Sequence, residues 1–323
     1  MARVLVIGGN LFIGRALVEQ LLARGDEVVI MHRGKGTPFT NRVGEIPCDR
    51  NDGAAVRAAL EGRRFDLVFD NVYDWQRGTT AEQVMAAVET LAPQLERYVF
   101  TSSVAVYPPG GPYDEDASLL APDHPNLYGA QKAETERQLF ELYRREGVPV
   151  ATIRPSFIYG PGNPFPRETW FWERILAGRP VIVPEDGATT MQWVHVGDVA
   201  EAAIRAATMD VAIGHAYNLG NYPPITQRAF VELLAQVAGK PVEVVSIPRA
   251  QIEKAGGQLA APPLYFGAYL DLPPITARTA RVRDDLGLEL RSLEAGLRQT
   301  YEWYRSQPKQ PVDFTWENGL LAS

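Results

Sequence analysis

A tyrosine and a lysine four residues apart are the part of this sequence best suited to acid–base chemistry. Tyr128 and Lys132 open a helix predicted over residues 128 to about 145, and their spacing places both side chains on one helix face. A lysine ammonium favours the phenolate and so lowers the pKa of a neighbouring tyrosine. A tyrosine tuned in this way can move a proton to or from a substrate oxygen near neutral pH.

Ser103 is the third residue predicted to act at that oxygen. It follows a strand predicted over residues 97–101, and its hydroxyl can donate a hydrogen bond to an oxygen that gains charge during hydride transfer. Lys132 is also placed to hold the ribose of a nicotinamide. A tyrosine–lysine pair alone arises by chance on exposed helices, so the prediction depends on the elements that precede it.

Those elements begin with a strand, a glycine turn and a helix at the N-terminus. Residues 4–7 are an unbroken apolar run, which is typical of a strand buried on both faces. The turn that follows places backbone N–H groups at a helix N-terminus, where phosphate binds. Gly8 permits the tight turn, Gly9 the approach to a pyrophosphate, and Gly14 close packing of helix on strand. A third glycine is expected at position 11, which is Leu11 here. The residues predicted to bind the cofactor at this turn are Gly8, Gly9, Asn10, Leu11, Phe12, Ile13 and Gly14.

The residues after the second predicted strand, 27–31, bear on the choice of cofactor. Sites for NAD place an acid there to hold the ribose hydroxyls, whereas this chain has His32, Arg33 and Lys35. Fixed cations suit a 2′-phosphate. The sequence therefore predicts NADP, with NAD as the alternative cofactor and a solvated basic turn as the alternative interpretation.

Further cofactor contacts are expected where the later strands end. Asp49 follows the third predicted strand and is placed to accept from the adenine amino group. Arg50 and Asn71 are also predicted to bind the cofactor, together with Tyr128 and Lys132.

Two helix starts between these strands have recognisable caps. Asp52 is predicted to cap a helix over residues 53–60. Thr79 and Glu82 have the spacing of a capping box for the helix that begins near residue 80.

The composition is that of a globular enzyme. The chain has 323 residues, of which 46% are hydrophobic and 10% aromatic, enough for a large sheet domain with a smaller lobe. The net charge is −7 and no lysine- or arginine-rich run occurs, so we expect no nucleic-acid partner. One cysteine and four histidines predict neither a disulfide nor a metal site. We expect no membrane span and a cytoplasmic location.

The alternation of strands and helices predicts an α/β fold. It is a Rossmann doubly wound parallel sheet, with helices on both faces, ligands at the carboxyl ends of the strands and a smaller mixed C-terminal substrate lobe. The NAD(P)-binding domain is predicted over residues 1–160, with 191–215 and part of 276–306. The substrate lobe is predicted over 161–190 and 216–275, and a C-terminal tail over 307–323.

The chain resembles an extended short-chain dehydrogenase/reductase over nearly its whole length. The motifs behind the resemblance are GGNLFIG, TSSVAVY, YGAQK, RPSFIYGPG, WVHVGDVA and NLGNYPPITQRAFVELL. The resemblance implies that Ser103, Tyr128 and Lys132 form a catalytic triad. It also implies that Pro155 and Tyr159 lie on a loop beside the nicotinamide, with Pro155 in contact with the cofactor. Dimers through the helices near 80–92 and 128–145 are implied as well.

The glycine turn is closer to an atypical branch of that family, written Gly-Gly-x-x-x-x-Gly. Its members are labelled sugar epimerase/dehydratase, isoflavone-reductase-like or chloroplast RNA-binding protein, so the resemblance leaves the substrate open. Sugar-nucleotide epimerases carry an Arg-Asp pair where this chain has Met191 and Gln192, and their second phosphate-binding arginine has no clear counterpart in residues 265–270. The aromatic segments 170–172 and 264–269 are interpreted either as core or as a pocket for a less charged substrate.

The sequence thus predicts an NAD(P)-dependent oxidoreductase or epimerase/dehydratase. It transfers hydride at a carbinol or carbonyl carbon of a small-molecule substrate, with Tyr128 as the acid/base. One alternative is a sugar-nucleotide epimerase or dehydratase with tightly bound NAD. The other is an RNA-binding or regulatory protein, against which the intact triad and the acidic charge balance argue.

Overall fold

The computed structural model describes residues 1–34 and 36–322, so Lys35, one of the predicted cofactor ligands, lies outside the described residues. The strands are β1 (Arg3–Ile7), β2 (Glu27–His32), β3 (Gly44–Pro47), β4 (Leu67–Asp70), β5 (Arg97–Thr101), β6 (Gly110–Tyr113), β7 (Val150–Pro155), β8 (Phe157–Tyr159), β9 (Val181–Pro184), β10 (Thr190–Met191), β11 (Trp193–His195), β12 (Ala216–Leu219), β13 (Ile225–Thr226), β14 (Val244–Ile247) and β15 (Ile275–Ala277). The helices are α1 (Phe12–Ala23), α2 (Gly53–Leu60), α3 (Ala81–Leu91), α4 (Leu127–Glu146), α5 (Glu168–Leu176), α6 (Val196–Thr208), α7 (Gln227–Ala238), α8 (Arg249–Lys254), α9 (Ala280–Leu286), α10 (Leu293–Ser306) and α11 (Thr315–Leu321).

The chain divides into two compact units. The first consists of Met1–Ser156, Val196–Gly220 and Ala277–Leu290, and the second of Phe157–His195, Asn221–Thr276 and Arg291–Ser323. The predicted substrate lobe, 216–275, includes strand β12, but this strand belongs to the first unit because it pairs with β7 in the sheet. Residues 307–323, expected to be a tail, contain α11, whose Glu317 and Leu320 are buried.

A seven-stranded parallel sheet in the order β12-β7-β5-β4-β1-β2-β3 forms the first unit. Residues 4–7 of β1 have no exposed surface, as expected for a strand covered on both faces. Helices α2, α3 and α4 pack in sequence, and α1 packs with α6. The predicted Rossmann fold class is confirmed. Ile7 lies opposite both Met31 and Asp70, so the carboxyl ends of β1, β2 and β4 meet at one edge.

The predicted N-cap of α2 agrees with the structure, whereas the predicted capping box of α3 does not. Asp52 caps α2 as predicted, since its Oδ1 accepts from the N–H of Ala55 at 2.9 Å. The capping box of α3 lies one residue later than predicted and is formed by Thr80 and Gln83. Thr79 is not part of it, because its hydroxyl accepts a hydrogen bond from the preceding loop.

The second unit mixes short strand pairs with helices. Strands β8 and β11 pair in parallel, as do β9 and β14, whereas β10 and β13 are antiparallel. Its core is strongly aromatic, and its largest fully buried side chains include Trp172, Trp193, Tyr159, Phe171, Phe230 and Phe266. The interpretation of residues 170–172 as core is therefore confirmed, and they do not line an open aromatic pocket.

The longest helix of the first unit is α4, with 20 residues. Among the described residues, no helix combines the length and the apolar content needed to cross a bilayer. The same residues contain no group of three or more His, Cys, Asp or Glu side chains placed to hold a metal ion.

Candidate active site

The glycine turn after β1 brings backbone against backbone. Gly8 has a φ of +85°, and a Cβ there would lie 2.5 Å from Val72 Cγ2. A Cβ on Gly14 would lie only 1.8 Å from the carbonyl oxygen of Gly8. The first turn of α1 is therefore held directly against the end of β1, as these two glycines predicted.

The start of α1 has the features of a phosphate site. Its N-cap residue, Leu11, is 75% exposed and provides no side-chain acceptor for the first helical N–H groups. Asn10 Nδ2 donates to the carbonyl oxygen of Gly36 at 2.8 Å. Asn10 Oδ1 and Asn71 Nδ2 are buried without a hydrogen-bond partner among the described residues. The glycine turn and these two orphaned polar atoms fit a bound dinucleotide.

Lys132 is buried at the end of β5. Its Nζ donates a 2.7 Å hydrogen bond to the carbonyl oxygen of Thr101. The same Nζ lies 4.4 Å from the ring centroid of Phe100 and 5.6 Å from that of Tyr73. Burial lowers the pKa of Lys132 from 10.5 to about 8. At neutral pH most of the lysine is therefore still charged.

Tyr128 lies in an aromatic cluster with two residues of the loop after β4. The rings of Trp75 and Tyr128 are stacked, with centroids 4.9 Å apart and an interplanar angle of 27°. Tyr73 meets Tyr128 edge-on at 4.7 Å, and its hydroxyl donates to Gln131 Oε1 at 2.8 Å. Sequence reasoning missed this cluster, because no spacing rule connects residues 73 and 75 to a helix that begins at residue 127.

Ser103 lies on the segment against which the first turn of α4 packs. A Cβ on Gly129 would lie 2.1 Å from the carbonyl oxygen of Ala105, so this close approach requires glycine. Ser103 Oγ accepts a 3.1 Å hydrogen bond from the N–H of Ala105, and a hydroxyl that accepts one bond can still donate another. Contacts from α4 to residues 101 and 105 thus bring Ser103, Tyr128 and Lys132 to the same sheet edge.

A cluster of four charged residues lies beyond the ends of β2, β3 and β4. Arg77 Nη2 is 2.8 Å from both Asp49 Oδ2 and Asp74 Oδ2, and Arg33 Nη1 is 3.5 Å from Asp74 Oδ2. Hydrogen bonds from Arg77 lower the pKa of Asp74 to about 2. The loop after β4 thus places a carboxylate, Asp74, beside the arginine that follows β2.

Two of the predicted cofactor ligands are held inside the protein. Arg50 is 3% exposed, and its Nη2 lies 2.5 Å from Asp70 Oδ2, which also accepts from the hydroxyl of Tyr98 at 2.7 Å. Arg50 is therefore a structural cation that neutralises a buried carboxylate, which corrects the prediction of a cofactor ligand. His32 Nε2 lies 2.7 Å from Glu45 Oε2, so its ring is held at the edge of the sheet.

Pro155 and Tyr159, the two residues implied to lie beside the nicotinamide, belong to different units of the chain. Pro155 is buried at the carboxyl end of β7, opposite Leu219 of β12. Tyr159 is 1% exposed in the core of the second unit, where its ring lies 5.3 Å from that of His195 and its hydroxyl donates to the Leu293 carbonyl oxygen at 3.4 Å. Tyr159 is therefore a core residue, because its hydroxyl is used inside that unit.

A buried ion pair fixes α4 to β7. Arg154 Nε donates to both carboxylate oxygens of Glu136, at 2.9 and 3.0 Å. Arg154 also donates to the hydroxyl of Tyr107 at 2.6 Å. Glu136 is one helical turn after Lys132 on the same face. This pair, which the sequence analysis did not identify, therefore sets the position of the helix at its lysine.

This sheet and its edge define the class of the protein. A parallel Rossmann sheet, a glycine turn at its first strand and a Tyr-x-x-x-Lys helix at its fifth strand are the features of a nicotinamide-dependent enzyme of the short-chain dehydrogenase/reductase type. The model of the NAD dependent epimerase/dehydratase family matches residues 4–220. The chain belongs to that family.

Individual relatives agree with this assignment. The chain is 31% identical to the chloroplast stem-loop binding protein of 41 kDa b of Arabidopsis thaliana over 74% of its own length and 64% of that protein's length. It is 26% identical to the dTDP-glucose 4,6-dehydratase of Neisseria meningitidis serogroup B, covering 100% of this chain and 97% of the relative. Among solved structures, the UDP-glucose 4-epimerase of Thermus thermophilus in complex with NAD has a TM-score of 0.73 at 26% identity, covering 94% of this chain and 99% of that one.

Proposed function

We propose that Tyr128 is the acid/base of a hydride-transfer reaction at a carbinol or carbonyl carbon, with Ser103 and Lys132 as its partners. The observation that carries the proposal is the buried Lys132 ammonium at the end of β5, on the helix whose first turn contains Tyr128. A nicotinamide supplies the hydride acceptor or donor when it is bound.

Each of the three residues has a separate task at the substrate oxygen. Tyr128 gives a proton to that oxygen, or takes one from it, through its phenol. Lys132 supplies a positive charge on the helix face that carries Tyr128. The Ser103 hydroxyl donates a hydrogen bond to the same oxygen as its charge grows. The N–H groups of Gly9 and the first turn of α1 hold the pyrophosphate.

NADP(H) is proposed as the preferred cofactor. The support for this is Arg33, which follows β2 and has a side chain 63% exposed, as a residue that receives a phosphate must be. Titration of the protein with NADH and NADPH, followed by nicotinamide fluorescence, tests the preference. Equal affinities would remove it.

The relatives favour a second candidate, a sugar-nucleotide epimerase or dehydratase with tightly held NAD. Its support is the similarity of this chain to the dTDP-glucose 4,6-dehydratase and the UDP-glucose 4-epimerase named above. Against it, Met191 and Gln192 occupy the place of the expected phosphate-binding pair. Both are buried, and Gln192 Nε2 donates to the Asn221 carbonyl oxygen at 3.0 Å.

Mass spectrometry of ligand released from the denatured protein tests both candidates. The first is supported by NADP(H) together with a change of nicotinamide absorbance when simple sugars or carbonyl compounds are added. The second is supported by retained NAD and by turnover of UDP-glucose or dTDP-glucose without net change of that absorbance. Absence of dinucleotide binding would contradict both.

A nucleic-acid function is the alternative from another class. The stem-loop binding relative is the observation in its favour, although the chain spans only 64% of that protein. Gel-shift titration with a stem-loop RNA at several salt concentrations tests it, because phosphate contacts make binding weaken steeply with salt. Binding that persists in Tyr128→Phe and is independent of cofactor would favour this alternative.

A cytoplasmic homodimer completes the proposal. Helices α2, α3 and α4 border a groove of about 460 Å³ lined by residues of both charge signs, including Glu82, Met85, Leu142 and Arg145. We propose that a second copy covers this face through α3 and α4. Light scattering that gives the monomer mass would contradict the dimer.

A further inference from the structure

Asp74 is a fixed carboxylate rather than a mobile surface acid. Its Oδ1 accepts from the N–H groups of Gln76 and Arg77 at 2.9 and 3.0 Å, and its Oδ2 accepts from Arg77 Nε at 2.9 Å. The side chain is only 10% exposed. Because its hydrogen bonds come from its own loop, the carboxylate is held in position next to Arg33 before any ligand binds.

Arg33 is held much less firmly than Asp74. Its Nη1 lies 3.5 Å from Asp74 Oδ2, which is an ion pair at longer range than the bonds from Arg77. A 2′-phosphate bound by Arg33 therefore shares that guanidinium with a carboxylate of the same sign as itself. A neutral 2′-hydroxyl meets no such repulsion.

We infer that Asp74 is a residue that determines cofactor specificity, because its charge reduces the preference for NADP(H) that Arg33 provides. This inference rests on the proposed function, because it places the adenosine ribose beside Arg33. The Asp74 carboxylate, from the loop after β4, thus disfavours a 2′-phosphate, as an acid at the end of β2 does in sites for NAD.

Arg77 has the opposite effect through the same carboxylate. It lies between Asp74 and Asp49 and neutralises part of the charge of both. Without Arg77, the two carboxylates would repel a 2′-phosphate more strongly. Substitutions of Asp74 and Arg77 should therefore change the ratio of NADPH to NADH affinity in opposite directions, which a general loss of folding cannot produce.

The test uses Asp74→Asn, Arg77→Gln and a control, Glu61→Gln, titrated with NADH and NADPH by nicotinamide fluorescence. Asparagine keeps an Oδ1 acceptor for the N–H groups of residues 76 and 77. It removes the charge together with the Oδ2 acceptor of Arg77 Nε, because its Nδ2 is a donor. Glu61 is exposed directly after α2, so its variant controls for the change of net charge in Asp74→Asn. We expect the ratio of NADPH to NADH affinity to rise about two- to fivefold in Asp74→Asn. It should fall by a similar factor in Arg77→Gln and stay unchanged in the control.

The outcomes separate this inference from the proposed function. If the wild type binds NADH and NADPH but the ratio is the same in all four proteins, the inference is overturned and the proposed function stands. The inference also fails if both affinities change by the same factor in Asp74→Asn. If the wild type binds neither dinucleotide, the proposed function is overturned and the inference with it.

Discussion

Lys132 Nζ donates a 2.7 Å hydrogen bond to the main-chain oxygen of Thr101. The partner is the last residue of β5, so the position of the ammonium is set by the sheet backbone rather than by another side chain. Such a lysine is oriented before substrate arrives, which favours catalysis. Its burial also carries a cost, because the charged form loses its hydration.

The stability of the Lys132→Met variant should depend on pH. The pKa of Lys132 is about 8 in the fold, against 10.5 for an exposed lysine. The cost of burying the charge is fully present below about pH 8 and is relieved as the pH rises toward the unfolded value. Lys132→Met should therefore be most stable, relative to the wild type, at about pH 7 and lose about half or more of that advantage by about pH 9.5. Urea unfolding at both values measures the effect, and a pH-independent difference would contradict it.

Tyr128→Phe should lose turnover and keep cofactor. Removal of the hydroxyl removes the proposed proton-transfer group, which is worth about 10²–10⁴ in rate. The glycine turn is untouched, and phenylalanine preserves the stacking on Trp75, so the affinity for NAD(P)H should change little. Steady-state kinetics and cofactor titration of the same preparation check both parts. Turnover at the wild-type rate would rule out Tyr128 as the acid/base.

Local sequence patterns were sufficient to predict the sheet and the glycine turn. The apolar run of residues 4–7 is typical of a buried strand, and Gly8 and Gly14 lie at positions where a Cβ would clash. Lys132 could be found for a similar reason, since a spacing of four on one helix is a local relation. These features depend on neighbours in sequence, which a single chain displays.

Contacts between distant segments could not be predicted in this way. Arg50 has the residue type and location of a phosphate ligand, but its charge is neutralised by Asp70 at the end of β4. The basic turn at Arg33 likewise lies beside Asp74, and only the order of strands in the folded sheet brings the two loops together. Tertiary pairing of charges thus decides which cations remain available for a ligand.

Breaking the buried pair between Glu136 and Arg154 should be far more destructive than breaking a surface pair on the same helix. Glu136→Gln leaves a guanidinium without its counter-charge in the interior, at a cost of about 3–5 kcal/mol in the free energy of unfolding. Glu141 is 3.1 Å from Arg144 with both side chains more than half exposed, so Glu141→Gln should change stability by less than about 0.5 kcal/mol. Urea unfolding compares the two, and equal losses would show that burial does not set the value of the pair.

Sugar nucleotides should bind poorly. The expected phosphate-binding pair is replaced by the buried residues Met191 and Gln192, so the pyrophosphate loses a bidentate partner. Calorimetric titration with UDP, UDP-glucose and dTDP-glucose should give dissociation constants in the millimolar range, about −4 kcal/mol of binding free energy. Micromolar binding of any of the three would identify another cation as the phosphate ligand and place the sugar-nucleotide candidate first.

Arg33→Ala should weaken NADPH binding and leave NADH binding nearly unchanged. The guanidinium offers a planar pair of donors to phosphate oxygens, and one charge-assisted contact is worth roughly 1.5–3 kcal/mol, or about tenfold to more than a hundredfold in affinity. Because Arg33 shares Asp74 Oδ2 with Arg77, the lower end of that range is expected. Fluorescence titration of wild type and variant with both reduced cofactors measures the change. An equal loss for NADH and NADPH would mean that Arg33 contacts a part common to both cofactors and does not select the 2′-phosphate.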